Sequence, residues 1–187
     1  AGVLRLRNLI DQNANIYDTT KSVPIEDILS KPTILELNSI DNAEQKAVLM
    51  ALLLINICVY TKHCQLGDGS LKNAILIDEA HVLFKAQDGG NSSASTTVTT
   101  LENMVAEIRS YGTSVIIADQ SPLAVGTGIV KNTDLKIVFQ LVDAADCQLM
   151  AAATSMSDEQ RAQIPQLNVG QAMVSYGLLK EPVMVQT

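Results

Sequence analysis

The sequence predicts an α/β domain, and three observations carry that prediction. Short aliphatic runs rich in Ile, Val and Leu recur along the chain and alternate with segments of helical period. One run, Asn73-Ala-Ile-Leu-Ile-Asp-Glu-Ala-His81, ends abruptly in two adjacent carboxylates. A buried parallel strand reads this way when it delivers acid groups to the carboxyl edge of a sheet, where open α/β folds hold their ligands. Aromatics are only 3% of the 187 residues and Trp is absent. The core must therefore come from Leu, Ile, Val, Ala and Met, which suits a sheet covered by helices.

The elements follow in order. Residues 1–32 are of mixed character, with a turn-rich patch at Asp11–Asn15 and a short helix over Pro24–Leu29, where Pro suits a first turn. Thr33-Ile-Leu-Glu-Leu37 reads as a strand. Asp41 or Asn42 can cap a long helix running to about Thr61. Gly67-Asp68-Gly69 is a turn, and Ala74–Asp78 is the second strand. Residues 88–97, rich in Gly, Ser and Thr, form the one low-complexity segment and read as a mobile loop. Val98–Ser110 is a helix, because Leu101, Met104, Val105 and Ile108 give an i, i+3, i+4, i+7 stripe. Ser114–Ala118 and Leu135–Phe139 are the third and fourth strands. Helices follow at Ala144–Ala153 and Asp158–Gln163. Ala172–Tyr176 and Val183–Gln186, split by Gly177–Pro182, make a C-terminal antiparallel pair. The sheet is expected to be parallel through most of its width.

Composition narrows the function. With 47% apolar and 18% charged residues the chain is globular, and its net charge of −7 repels nucleic acid. DNA contact would need a local basic patch, a further part of the protein, or assembly into a ring. The scarcity of aromatics argues against single-strand binding by base stacking. Cys58, Cys64 and Cys147 form no close pair and fit free thiols in a reducing cytoplasm. His63-Cys64 with His81 matches no zinc spacing. The most apolar run, Ala47 to Tyr60, is shorter than the roughly 20 residues a membrane span needs, and it carries Asn56. No signal peptide opens the chain, which starts at Ala1-Gly-Val-Leu4 without Met and reads as an excised piece.

Three strand ends converge in chemistry: Asn38, Asp78-Glu79 and Gln120. In nucleoside triphosphatases, a carboxylate in the position of Asp78 holds magnesium, directly or through water. The next, here Glu79, polarises the water that attacks the γ-phosphate. Gln120 can hydrogen-bond a γ-phosphate oxygen or that water. Taken alone, Asp78-Glu79 also fits an acidic solvated turn, and Gln120 a helix-capping amide.

The rest of the chain changes those odds. Asp78-Glu-Ala-His81 shares its letters with the second motif of superfamily 2 helicases, but that family's Ser-Ala-Thr and arginine-rich motifs are absent. The chain instead resembles the HerA/FtsK group of hexameric DNA-translocating ATPases, HerA in particular. The resemblance lies in Lys31-Pro-Thr-Ile-Leu-Glu-Leu37 followed by Glu44-Gln-Lys46, and in Ile75-Leu-Ile-Asp-Glu-Ala-His81. It continues in Ala106-Glu-Ile-Arg-Ser-Tyr-Gly112 leading into Ile116-Ile-Ala-Asp-Gln-Ser-Pro122. Ile129-Val-Lys-Asn-Thr133 precedes Lys136-Ile-Val-Phe139, and Ile164-Pro-Gln-Leu-Asn-Val-Gly-Gln-Ala172 comes last.

That resemblance implies a RecA-like sheet, with Asp78 as the Walker B carboxylate and metal ligand, Glu79 as the catalytic base and Gln120 as the sensor. Arg109 is similar to a residue that faces the nucleotide of its own or a neighbouring subunit, and it equally fits a solvated cation at a helix C-terminus. ATP and Mg2+ are the implied cofactors. The implied partners are further copies in a hexameric ring, DNA passing through it, and an associated nuclease or effector, in a bacterial cytoplasm.

Two departures stand out. No Gly-x4-Gly-Lys-Ser/Thr loop occurs in the chain; Gly67-Asp-Gly-Ser-Leu-Lys72 and Gly126-Thr-Gly-Ile-Val-Lys131 have the ingredients without the adjacency. In the family that loop lies N-terminal to this region, so residues 1–187 are expected to be the C-terminal portion of the ATPase domain and inactive alone. Gln140 stands where the family commonly carries a basic residue after the fourth strand. Two other readings use the same fold: a conjugation or type IV secretion ATPase, and a non-catalytic scaffold in a defence or effector complex.

Overall fold

The computed structural model describes residues 22–64, 69–84 and 92–186, and contacts divide the chain into two units, Ala1–Leu66 and Gly67–Thr187. The turn-rich patch at Asp11–Asn15 lies outside the described residues.

In the first unit, Pro24 at φ −60 precedes a one-turn helix, α1 (Ile25–Leu29). Asn42 opens the long helix α2 (Ala43–Cys64): its Oδ1 accepts from the N–H groups of Glu44 at 2.9 Å and Gln45 at 3.2 Å. A cap of this kind stabilises a helix by about 1 kcal/mol. The helix outruns the apolar stretch expected from the sequence. At 22 residues, with a mean hydropathy of 1.7 over its most apolar window, it is long and apolar enough to cross a membrane by length and composition. A core helix meets the same test. Thr33–Leu37, expected as a strand, joins no ladder among the described residues, and Ile34 is 87% exposed. A strand exists through the partner that takes up its N–H and C=O groups.

The second unit begins with β1 (Asn73–Ile77), followed by the single-turn helix α3 (His81–Phe84). Helix α4 (Ser92–Ile108) ends in a 3-10 turn at Arg109–Tyr111. Its start corrects the loop expected over 88–97: residues 92–97 are helical, and 88–91 lie outside the described residues. Extending a formed helix through Ser and Thr costs only tenths of a kcal/mol per residue, far less than nucleating one. Gly112 (φ 83) then turns the chain into β2 (Thr113–Ile117). Its carbonyl accepts from the N–H of Lys72 at 2.7 Å, and a Cβ there would collide with the Ser70 carbonyl oxygen, so the residue must be Gly.

β1 and β2 pair in parallel from Asn73↔Thr113 to Ile77↔Ile117. Two short helices, α5 (Pro122–Val125) and α6 (Thr127–Asn132), lead to β3 (Lys136–Val138). Asp143 caps α7 (Ala144–Thr154) and a Ser157–Gln160 capping box opens α8 (Asp158–Gln163). β4 (Gln171–Ser175) and β5 (Val183–Gln186) close the chain. The α/β class and the C-terminal antiparallel pair stand as expected. β3 joins that pair, giving a three-stranded antiparallel sheet beside the two parallel strands. Val130, Val138, Cys147, Met150, Ile164, Leu167 and Met173 form one buried apolar cluster around β3, β4 and α7.

Candidate active site at the carboxyl edge of the parallel strands

The register of β1 and β2 decides which side chains meet. Because Ile77 sits opposite Ile117, the residues after each strand emerge side by side. The ladder carries on past the strand ends: the N–H of Ala118 donates to the Ile77 carbonyl at 2.9 Å, and that of Ala80 to the Ala118 carbonyl at 3.3 Å. Asp78-Glu79 and Gln120 therefore share one sheet edge, and all three are exposed.

The acidic turn is held in an uncommon shape. Glu79 has φ 50, the left-handed region that a residue with a Cβ rarely enters. Such a conformation costs about 1–3 kcal/mol and persists only where its surroundings impose it. Here the Glu79 N–H donates to Asp78 Oδ1 at 3.0 Å, its carbonyl accepts from Val82 at 3.0 Å, and Ala80 is fully buried beneath it. The turn ends β1 and starts α3 with the Glu79 side chain in solvent. Asp78 Oδ1 is engaged by this bond, and Mg2+ is typically bound through one or two carboxylates together with substrate phosphates. The donor set fits such an ion.

A buried carboxylate joins the two loops. Asp119, its side chain 6% exposed, accepts through Oδ2 from the His81 N–H at 2.7 Å and lies 2.8 Å from His81 Nδ1. Its Oδ1 accepts from the Ser121 N–H at 3.0 Å. Burial pushes the Asp119 carboxyl up, but the hydrogen bonds from Ser121 and His81, with the His81 charge, hold it below the usual carboxylate range. On the far side, Asp146 of α7 accepts from Ser121 Oγ at 3.2 Å and the Leu123 N–H at 2.8 Å. The loop carrying Gln120 is thus fastened at both ends. Neither His81 nor Asp119 stands out by residue type. The sequence signal was positional: each follows one of two paired strands within a few residues.

Arg109 is not brought to this edge. It is exposed in the 3-10 turn before β2, while Gln120 follows β2, and the five-residue strand between spans roughly 16 Å at about 3.3 Å per residue. Asn38 belongs to the first unit. Gln140 is tied down, its Nε2 donating to the Pro165 carbonyl at 2.9 Å. Gln120 and Gln140 line a groove of about 540 Å³. A larger cleft of about 800 Å³ is lined by β2 and β3 residues, with Glu102 and Arg109 at its wall. Among the described residues, no cluster of three His, Cys, Asp or Glu forms a ready metal cage.

Solved structures share this fold. The genome packaging NTPase B204 of Sulfolobus turreted icosahedral virus 2, solved with AMP, matches with a TM-score of 0.58 at 16% identity, over 88% of this chain and 72% of that one. VirB4 of Thermoanaerobacter pseudethanolicus matches with a TM-score of 0.57 at 14% identity, over 81% of this chain and 40% of that one. No family model matches the chain.

Among curated proteins the particular resemblance is to HerA, as the motifs suggested. The DNA double-strand break repair helicase HerA of Saccharolobus solfataricus is 22% identical over 186 residues, 97% of this chain and 36% of the relative. HerA of Sulfolobus acidocaldarius is 24% identical over 187 residues, again 97% of this chain and 37% of the relative. The chain thus spans little more than a third of the HerA proteins it matches. These relatives are archaeal, so the bacterial origin expected above gains no support from them.

Proposed function

We propose that this chain is the C-terminal portion of a HerA-type ATPase domain whose whole protein hydrolyses ATP in a homo-oligomeric, hexameric ring and moves DNA. The carrying observation is the meeting of Asp78, Glu79 and Gln120 at one edge of two parallel strands, with Glu79 held in a left-handed conformation. Asp78 would hold Mg2+, which would shield the phosphate charge when ATP is bound. Glu79 accepts a proton from the attacking water, and Gln120 reads the γ-phosphate. Arg109, at the opposite end of β2, suits contact with a neighbouring subunit's nucleotide rather than its own.

Two features support the partial-domain reading. The chain carries no phosphate-binding loop, which normally supplies most triphosphate contacts. The cleft lined by β2 and β3 has an exposed apolar lining, with Ile116, Ile137 and Phe139 each about half exposed, whereas strands of a complete parallel sheet are covered on both faces. The isolated chain is therefore expected to bind Mg-ATP poorly and to turn over none.

A conjugation or secretion ATPase, its cargo a protein or a protein-bound strand, is the second reading that the same site residues allow. The test is hydrolysis by the full-length protein. We expect magnesium-dependent turnover, with Asp78→Ala weakening the magnesium dependence of nucleotide binding. An unchanged magnesium titration removes Asp78 from the metal role, and absent wild-type turnover overturns the assignment.

A further inference from the structure

We propose that Asp119 is the positioning residue of this site, a clasp that sets the Glu79 turn and the Gln120 loop in a fixed relation. The proposal rests on the roles assigned to Glu79 and Gln120 above. Three facts carry it. Asp119 is the one carboxylate among the described residues that bonds both loops: Oδ2 receives the His81 N–H and faces His81 Nδ1, and Oδ1 receives the Ser121 N–H. Its side chain is only 6% exposed, whereas Asp78 and Glu79 are exposed, so its carboxylate is committed to these bonds rather than left open to solvent. Its bond to His81 falls two residues after Glu79, whose φ of 50 needs an external restraint.

The chemistry of the clasp is specific to a carboxylate. Three N–H groups converge on two oxygens, and an ionised carboxylate can accept them all. An amide at this position turns an NH2 toward one of the two loops and leaves that side without an acceptor. Releasing the His81 end frees the Glu79 turn to leave its left-handed shape; releasing the Ser121 end frees Gln120, still held from beyond by Asp146 through Ser121 Oγ and the Leu123 N–H. Misplacing a catalytic group by about an ångström is enough to reduce a rate by about 100-fold without touching the substrate.

The experiment compares wild type, Asp119→Asn and the milder His81→Gln in the full-length protein. His81→Gln removes only the ring and keeps the backbone bond to Asp119. Two readouts are taken: amide hydrogen exchange at His81 and Ser121, referenced to Met173 and Val174 of β4, and the kcat and KM of ATP hydrolysis. Asp119→Asn is expected to speed exchange at His81 or Ser121 but not in β4, and to lower kcat about 10- to 100-fold with KM little changed. His81→Gln is expected to lie between the two. Unchanged local exchange overturns the clasp, and faster exchange with wild-type kcat overturns its positioning role. Exchange that also rises throughout β4 means general unfolding of Asp119→Asn, and His81→Gln then decides by the same criteria. If the wild type shows no turnover, the ATPase assignment fails and the positioning proposal falls with it, while the exchange data still report separately whether the clasp exists.

Discussion

The two sheets of the second unit satisfy their strands in different ways. β4 is flanked on both sides, by β3 and β5, and its Ala172 and Met173 are 1% exposed over a cluster that includes the fully buried Ile164. The β1–β2 pair has the more apolar sequence and the poorer cover. Leu76 and Ile116, partners in its register, are 64% and 49% exposed, and its carboxyl edge carries exposed acids and a left-handed Glu79. β4 and β5 are joined by a short connection and β3 covers the other edge of β4, whereas parallel strands need helices on both faces and a neighbour at each edge. In this chain burial is concentrated around β4, and backbone strain at the end of β1.

That contrast can be broken or sharpened by substitution. The largest effect on stability is expected on the packed side: Met173→Ala should lower unfolding free energy by about 2–5 kcal/mol, read by denaturant titration. A loss below about 1 kcal/mol would show that the cluster around β4 is looser than its burial implies. On the strained side the sign should reverse. Glu79→Gly removes the Cβ that makes φ 50 unfavourable and should raise stability by about 1 kcal/mol while abolishing turnover in the full-length protein. A clear loss of stability would mean that the turn is not strained. The smallest change belongs to Gln120→Ala, which should alter stability by about 1 kcal/mol or less and leave ADP affinity intact while slowing hydrolysis. A normal rate with a lowered melting temperature would make Gln120 a structural amide.

Much of this was legible in the sequence because it rests on local signals. The apolar run ending in Asp78-Glu79 marked β1 and its edge, the choice of Asp41 or Asn42 as cap marked the start of the long helix, and the stripe from Leu101 to Ile108 marked α4. What was not legible depends on partners. Thr33–Leu37 has strand composition and no ladder among the described residues, and β3 has the look of a parallel strand yet pairs antiparallel with β4. The pairing of Asp119 with His81 spans 38 positions and exists only because two strands align Ile77 with Ile117. Neighbour-to-neighbour patterns carry no record of such a contact. Arg109 shows the same limit from the other side: its motif suggests nucleotide contact, and the direction of β2 places it at the far end of the strand.

The central claim is that the β1–β2 edge hydrolyses a nucleoside triphosphate with Glu79 as base. Its most direct test is Glu79→Gln in the full-length protein, with ATP binding and steady-state hydrolysis measured on the same preparation. The amide keeps the size of the side chain and removes its basicity. ATP affinity should stay near wild type while turnover falls by roughly 10²–10⁴. Turnover within a few-fold of wild type, with binding retained, would contradict the claim and leave Asp78-Glu79 as a solvated acidic turn.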